Sequence, residues 1–224
     1  MRKFLYLTVF AAAAILQSCG SNVENGLSAG KFSDWWTVES ESPDYSTKVS
    51  EDGVCEIVAP KGLTLWFNRK FSGDVEIKYE AIVYDEKEGD RLSDLNCFWM
   101  ATDPKAETVF DRMDERNGVF ANCASMKLYY VGYGGNWNST TRFRRYTGEA
   151  NPPIIKEYSD STHLLKPNHW YSIRLVNDGG HVQYWIDGEL LFDYQDSEPY
   201  TEGWFGFRTT LSRTAIRNFT YRNL

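Results

Sequence analysis

The chain has 224 residues, with 24 Lys and Arg against 31 Asp and Glu and a net charge of −7. That length suits one sizeable all-β domain. The acidic excess disfavours nucleic acid or an anionic membrane face as partner, because like charges repel.

Met1-Arg2-Lys3 is a basic start, and residues 4–16 form an apolar run too short to span a bilayer. The run ends in Leu16-Gln17-Ser18-Cys19, the pattern of a lipoprotein cleavage site. Residues 1–18 therefore read as a signal peptide, with Cys19 as the lipidated N-terminus of an envelope protein, periplasmic or at the cell surface. Loss of Arg2 and Lys3 takes the mature chain to −9, from 22 cations and 31 anions. Residues 19–30 are rich in Gly, Ser and Asn and read as a tether. Residues 31–224 read as the domain.

Period-2 alternation then recurs at residues 54–58, 63–67, 75–81 and 95–101. Residues 105–117 carry charge but a weak apolar stripe, which suggests a loop with a short helix. The stretch 129–146 reads as strand, turn, strand, with three arginines and six aromatics. Further strands are expected at 170–176, 181–186, 204–208 and 216–221. Asn177-Asp178-Gly179-Gly180 and Asp187-Gly188 are turn signals. Many short strands in one domain predict an all-β, two-sheet antiparallel β-sandwich or jelly roll. Cys55, Cys97 and Cys123 allow at most one disulfide and read as buried thiols.

Alternation also sorts the faces. Asn96, Phe98 and Met100 should share one side of their strand, with Cys97 and Trp99 opposite. Arg142, Arg144 and Tyr146 should share another, away from Arg145. Trp204, Arg208 and Thr210 form a third such set, and His181, Gln183, Trp185 and Asp187 a fourth. Planar aromatics stack on sugar rings, and guanidinium forks bind carboxylate or sulfate. The arginines stand against the chain's overall sign, so the pattern suggests an acidic-saccharide groove.

The order Trp170-Tyr171-Ser172-Ile173, Val182-Gln183-Tyr184-Trp185-Ile186-Asp187-Gly188, then Gly203-Trp204-Phe205-Gly206-Phe207-Arg208 resembles concanavalin-like jelly rolls. In these the Asp-Gly turn joins neighbouring strands. Asn96-Cys97-Phe98-Trp99-Met100-Ala101-Thr102-Asp103-Pro104, residues 130–146, His163-Leu164-Leu165 and Phe207-Arg208-Thr209-Thr210 further resemble the YesU-like group. That resemblance implies a jelly roll used in bacterial breakdown of uronate-rich polysaccharide.

A hydrolase needs two facing carboxylates, and the usual Glu-x-Asp-x-x-Glu pattern is missing. Elimination from a uronate instead needs the carboxylate neutralised, a base for the C5 proton and an acid for the group leaving C4. The expected catalytic set is Tyr130, His163 and Arg208, with Tyr130 and His163 moving protons. Asn96, Trp99, Asn136, Arg142, Arg144, Gln183 and Trp185 are expected to bind substrate. No metal site or cofactor is expected; a structural calcium has no convincing ligand spacing. The reading is a lipoprotein lyase or dehydratase for uronate oligosaccharides. A non-catalytic carbohydrate-binding lipoprotein and a glycoside hydrolase are its rivals.

Overall fold

Apolar residues at every second position, many of them aromatic or β-branched, commit this chain to sheet. The computed structural model describes Leu27 and residues 30–224. The leader, Cys19 and most of the tether lie outside the described residues. Leu27 is itself buried in the main core, so the domain reaches into the segment read as tether.

The strands are β1 (Trp36–Ser40), β2 (Ser46–Val49), β3 (Cys55–Phe67), β4 (Phe71–Ser72), β5 (Val75–Val83) and β6 (Leu95–Thr102). Then come β7 (Lys127–Gly134), β8 (Thr140–Thr147), β9 (Ile154–Tyr158), β10 (Tyr171–Asp178), β11 (His181–Ile186), β12 (Glu189–Gln195) and β13 (Glu202–Asn223). All pairings are antiparallel. One sheet runs β12-β11-β10-β5 and ends on the C-terminal part of β13. The second starts on the N-terminal part of β13 and continues β6-β7-β8-β9. β3 lies along β13 through both, and β1 and β2 pair with β3 on its other edge. The expected jelly-roll sandwich is the observed architecture.

Two pairs of expected strands prove to be single long ones. Residues 54–58 and 63–67 fuse into β3, and 204–208 and 216–221 into β13. Pro60 and Leu211, between those spans, sit where the β3–β13 register shifts. A bulge leaves residues unpaired, so a proline there forfeits no ladder bond. The chain bends at this point and passes from one sheet to the other.

The inward faces of the two sheets meet in the main core. Ile77 and Tyr79 of β5, Trp99 of β6, Tyr129 of β7, Tyr184 of β11 and Phe207 of β13 all lie there. Met100 breaks the expected alternation. It has φ +50 beside a register shift and turns into the main core instead of joining Asn96 and Phe98. Cys55, Cys97 and Cys123 are free and buried; burial pushes their thiols up to about 12, about 12 and about 11.

The connection from β6 to β7 folds back over the outer face of the second sheet. It contains one helical turn, Met113–Arg116, and a tighter 3-10 turn, Phe120–Ser125. Val109, Cys123 and Met126 pack there on Trp66, Phe98 and Tyr146, a second apolar cluster. A buried ionic knot pins this connection. Arg116 donates to Glu39 at 2.7 Å and approaches Asp103 at 3.4 Å, and Trp66 Nε1 donates to Glu39 at 3.0 Å. Removing one partner leaves an uncompensated buried charge. Glu39→Ala should therefore lower stability by about 3–5 kcal/mol in urea unfolding; a change under about 1 kcal/mol would show that the knot does not hold the connection.

Candidate functional site

Register builds the site in two cross-strand rows on the outer face of the second sheet. In one row Arg208 of β13 lies opposite Asn96, Asn96 opposite Gly132, and Gly132 opposite Arg142. In the next, Gly206 lies opposite Phe98, Phe98 opposite Tyr130, and Tyr130 opposite Arg144. Gly132 is required by contact: a Cβ there would meet the Tyr130 hydroxyl at 2.3 Å. The Tyr130 ring thus lies across the empty position of its neighbour. Arg91, Asp94, Phe120, Trp137 and Thr210 complete a groove of about 310 Å³ with Tyr130, Asn136, Arg142 and Arg144.

The charges in this groove are unequal. Arg142 pairs with Glu157, and Arg91 pairs with Asp94 at 2.8 Å. Arg144 donates to the Pro152 carbonyl at 2.7 Å. Arg208, only 2% exposed, donates to Thr64 Oγ1 at 2.9 Å and to the Gly118 carbonyl at 3.0 Å. The Phe120 ring lies 5.1 Å from the Arg208 guanidinium. Among the described residues, then, Arg144 and Arg208 have neutral hydrogen-bond acceptors and no carboxylate partner. Arg208 is the buried one of the two, a costly state that favours an anion beside it; Arg144 is half-buried. Asn96, 5% exposed, keeps its Oδ1 without a partner.

Burial pushes the Tyr130 phenol well above its ordinary range, aided by Tyr146 and Asp94 and opposed by Arg208 and Arg144. Tyr130 is thus a neutral hydroxyl at physiological pH, able to donate a hydrogen bond.

Trp137 was not among the expected site residues. It stands in the β7–β8 turn and is 71% exposed. Asn136, Trp137 and Asn138 all have left-handed backbones, with φ of 52°, 60° and 54°. Three such residues in succession are uncommon outside glycine, and a tryptophan there is strained. The conformation lifts the indole onto the groove rim, where the Arg91 guanidinium lies 4.3 Å from its ring. The two flanking asparagines were the legible signal, since Asn tolerates this region best.

Four expected residues stand elsewhere. Trp99 is 1% exposed and faces the main core beside Tyr129 and Phe143, so it offers no sugar platform. Gln183 and Trp185 lie on the outer face of the other sheet, where the indole donates to Gln183 at 3.1 Å. His163 lies on the opposite side of the β7–β8 hairpin from Tyr130. Thr141 and Tyr133, which face inward, bond the carbonyls of residues 163 and 164 at 2.5 and 3.3 Å. Its imidazole stacks on Tyr158 with centroids 3.9 Å apart and contacts Asp160 at 2.8 Å. The expected Tyr130–His163 proton-transfer pair is therefore not assembled.

Residues 57–219 match the family described as a domain of unknown function, DUF6250, and the chain belongs to it. A comparison with curated proteins found no match. Among solved structures, a protein of unknown function with a galectin-like fold from Bacillus subtilis is similar at TM-score 0.69 and 18% identity, over 89% of this chain and 94% of that one. The carbohydrate-binding module CBM66 from Bacillus subtilis is similar at TM-score 0.56 and 15% identity, over 84% and 95%. The exoplasmic/lumenal domain of VIP36, in a form bound to Ca2+ and Man3GlcNAc, is similar at 0.58 and 12%, over 88% and 87%. At these identities the likeness establishes the shared fold.

If Trp137 is held in a strained turn for its exposed ring, the fold should not need it. Trp137→Gly should keep or raise the melting temperature, by the equivalent of about 1–2 kcal/mol of relieved left-handed strain. A marked drop in melting temperature would make the indole a structural prop.

Proposed function

We propose that this DUF6250 protein is a bacterial envelope lipoprotein that binds an acidic saccharide in the groove of its second sheet. One observation carries the reading: Arg144 lines the groove with no carboxylate partner among the described residues, and Arg208 lies buried beneath the groove's Phe120, in a chain of net charge −7. A uronate carboxylate or a sugar sulfate supplies the missing anion, and a guanidinium fork matches its geometry. The Tyr130 hydroxyl, on a groove-lining residue, can donate to a sugar hydroxyl. The exposed Trp137 ring offers a stacking face. The resemblance to YesU-like proteins, and fold neighbours that include a carbohydrate-binding module, support this reading without carrying it.

Elimination from the bound uronate is the second reading, favoured by the position of Tyr130 among the arginines. Arg144 would neutralise the carboxylate and acidify the C5 proton, whose removal needs a base that the groove residues do not supply, since Tyr130 is a neutral phenol and Asp94 is tied to Arg91. The neutral Tyr130 phenol would protonate the group leaving C4. The base expected of His163 lies across the hairpin, which puts binding ahead of catalysis. A hydrolase is weaker still, because Asp94 is tied to Arg91 and Glu157 to Arg142.

Calorimetric titration with a glucuronide and its carboxyl-reduced analogue tests the anion. Arg144→Ala and Arg208→Met should each weaken glucuronide binding by about 1.5–3 kcal/mol, the range for charge-assisted hydrogen bonds. Arg208→Met should leave stability equal or higher, because an unpaired buried charge is replaced by hydrocarbon. Equal affinity for both ligands would remove the carboxylate from the reading. Incubation of the protein with uronate oligosaccharides decides the second reading: new ultraviolet absorbance of an unsaturated uronate supports elimination, and its absence leaves binding. Cys19→Ala should move the protein from the membrane pellet to the soluble fraction; retention in the pellet would rule out the lipid anchor.

A further inference from the structure

Beyond Trp137 lies a second cavity of about 540 Å³, sharing Arg91 and Trp137 with the groove. Its walls are largely hydrocarbon: Val58, Ala59 and Pro60 of β3, Leu211 of β13, and the Trp137 ring. Trp137 and Leu211 are 71% and 47% exposed. Both also have left-handed backbones, with φ of 60° and 49°. Two large apolar side chains are thus held out to solvent, on unfavourable backbone, beside the same cavity. Met100 also has a left-handed backbone but fills the main core; at Trp137 and Leu211 no burial compensates, which marks a constraint other than packing.

The charges around this cavity differ from those of the groove. Arg213 bonds Asp90 at 2.8 Å and Glu86 at 3.0 Å and lies 3.6 Å from Glu56. Arg91 is held by Asp94 and Trp137. No cation among its lining residues lacks a partner, while Glu88 adds a further carboxylate. A second anionic unit would be repelled here, whereas an uncharged hydrocarbon surface would displace water from Leu211 and Trp137.

The geometry points to a second subsite, between Trp137 and Leu211, for an uncharged hydrocarbon face on the unit linked to the acidic sugar. A 6-deoxyhexose and an aromatic substituent both present that chemistry. The inference rests on the acidic-saccharide reading of the first groove and assigns the indole a place between the two subsites.

Calorimetry with methyl β-D-glucuronide, phenyl β-D-glucuronide and a glucuronosyl-6-deoxyhexose tests it. At least one of the last two should bind tenfold or more tightly than the methyl glycoside, about 1.4 kcal/mol. A gain for the disaccharide alone identifies a sugar unit, and a gain for the phenyl glycoside alone an aromatic substituent. Leu211→Asn should abolish the gain and leave methyl glucuronide affinity unchanged. Its melting temperature should hold or rise, since Asn accepts a left-handed backbone better than Leu. If the methyl glycoside binds and neither larger ligand gains, the subsite is wrong and the groove reading stands. If only the larger ligands bind, and Leu211→Asn removes that binding, the subsite stands, and equal affinity for their carboxyl-reduced analogues would overturn the anionic reading. If none of the three binds, both are overturned.

Discussion

The pairing of β3 with β13 is the constraint on which the rest of the molecule depends. These strands stay hydrogen-bonded through both sheets, shifting register between Thr210 and Ser212. A sheet cannot change direction at full pleat, so the bend is concentrated in a bulge. That bulge sets where Arg208 and Thr210 emerge on the outer face of the second sheet. It also leaves Leu211 on a left-handed backbone at the corner. The close approach of β13 to β3 leaves no space at Gly206, where a Cβ would meet Thr64 Cγ2 and the Trp66 ring at 2.9 Å.

From that corner the groove follows by register alone. Each antiparallel neighbour places its residue opposite the last, so Arg208, Asn96, Gly132 and Arg142 fall into line across four strands. The β6–β7 connection then covers part of this face, and Phe120 at its end settles over Arg208. The Glu39–Arg116–Asp103 knot holds the cover in place. Arg208 is consequently shut away from water without receiving an acid, even though the chain carries an excess of carboxylates. Acids and arginines elsewhere pair freely, as Arg145 does with Asp196 and Arg217 with Glu80. Arg144 and Arg208 differ from those cations in having only neutral acceptors.

Much of this was legible in the sequence, because a period of two residues fixes faces whenever the strand is regular. Arg142 and Arg144 were read on one face and Arg145 on the other, and that is where they lie. Asn96 was placed opposite Trp99, yet both were expected to bind substrate, and the indole instead faces the core. Where alternation was interrupted, the reading failed: Met100, beside its register shift, faces the other way. Residues 54–58 and 63–67, and likewise 204–208 and 216–221, were read as separate strands because local chemistry does not reveal that two strands bend together. Nor does period alone say which outer face belongs to which sheet, so Gln183 and Trp185 were placed with the arginines although the main core stands between them. His163 failed for a different reason: its position depends on Thr141 and Tyr133 bonding carbonyls from a distant loop, a tertiary contact without local pattern.

The turn at residues 136–138 joins these points into one argument. Glycine at positions 136–138 would have closed β7 and β8 with less strain. The chain instead places tryptophan between two asparagines, and all three adopt left-handed backbones. The asparagines ease the flanking positions but not the central one. No buried contact compensates, because the ring is mostly exposed and its recorded partner is the Arg91 guanidinium. The same compromise recurs at Leu211, the other large apolar residue held out on a left-handed backbone. Arg208, Trp137 and Leu211 thus share one feature, each being less favourable for the isolated fold than an ordinary substitute at its position. Such departures from local consistency gather where a surface is shaped for a ligand. Here they gather along a single path on the second sheet, from the buried guanidinium, past the indole, to the corner of the sandwich.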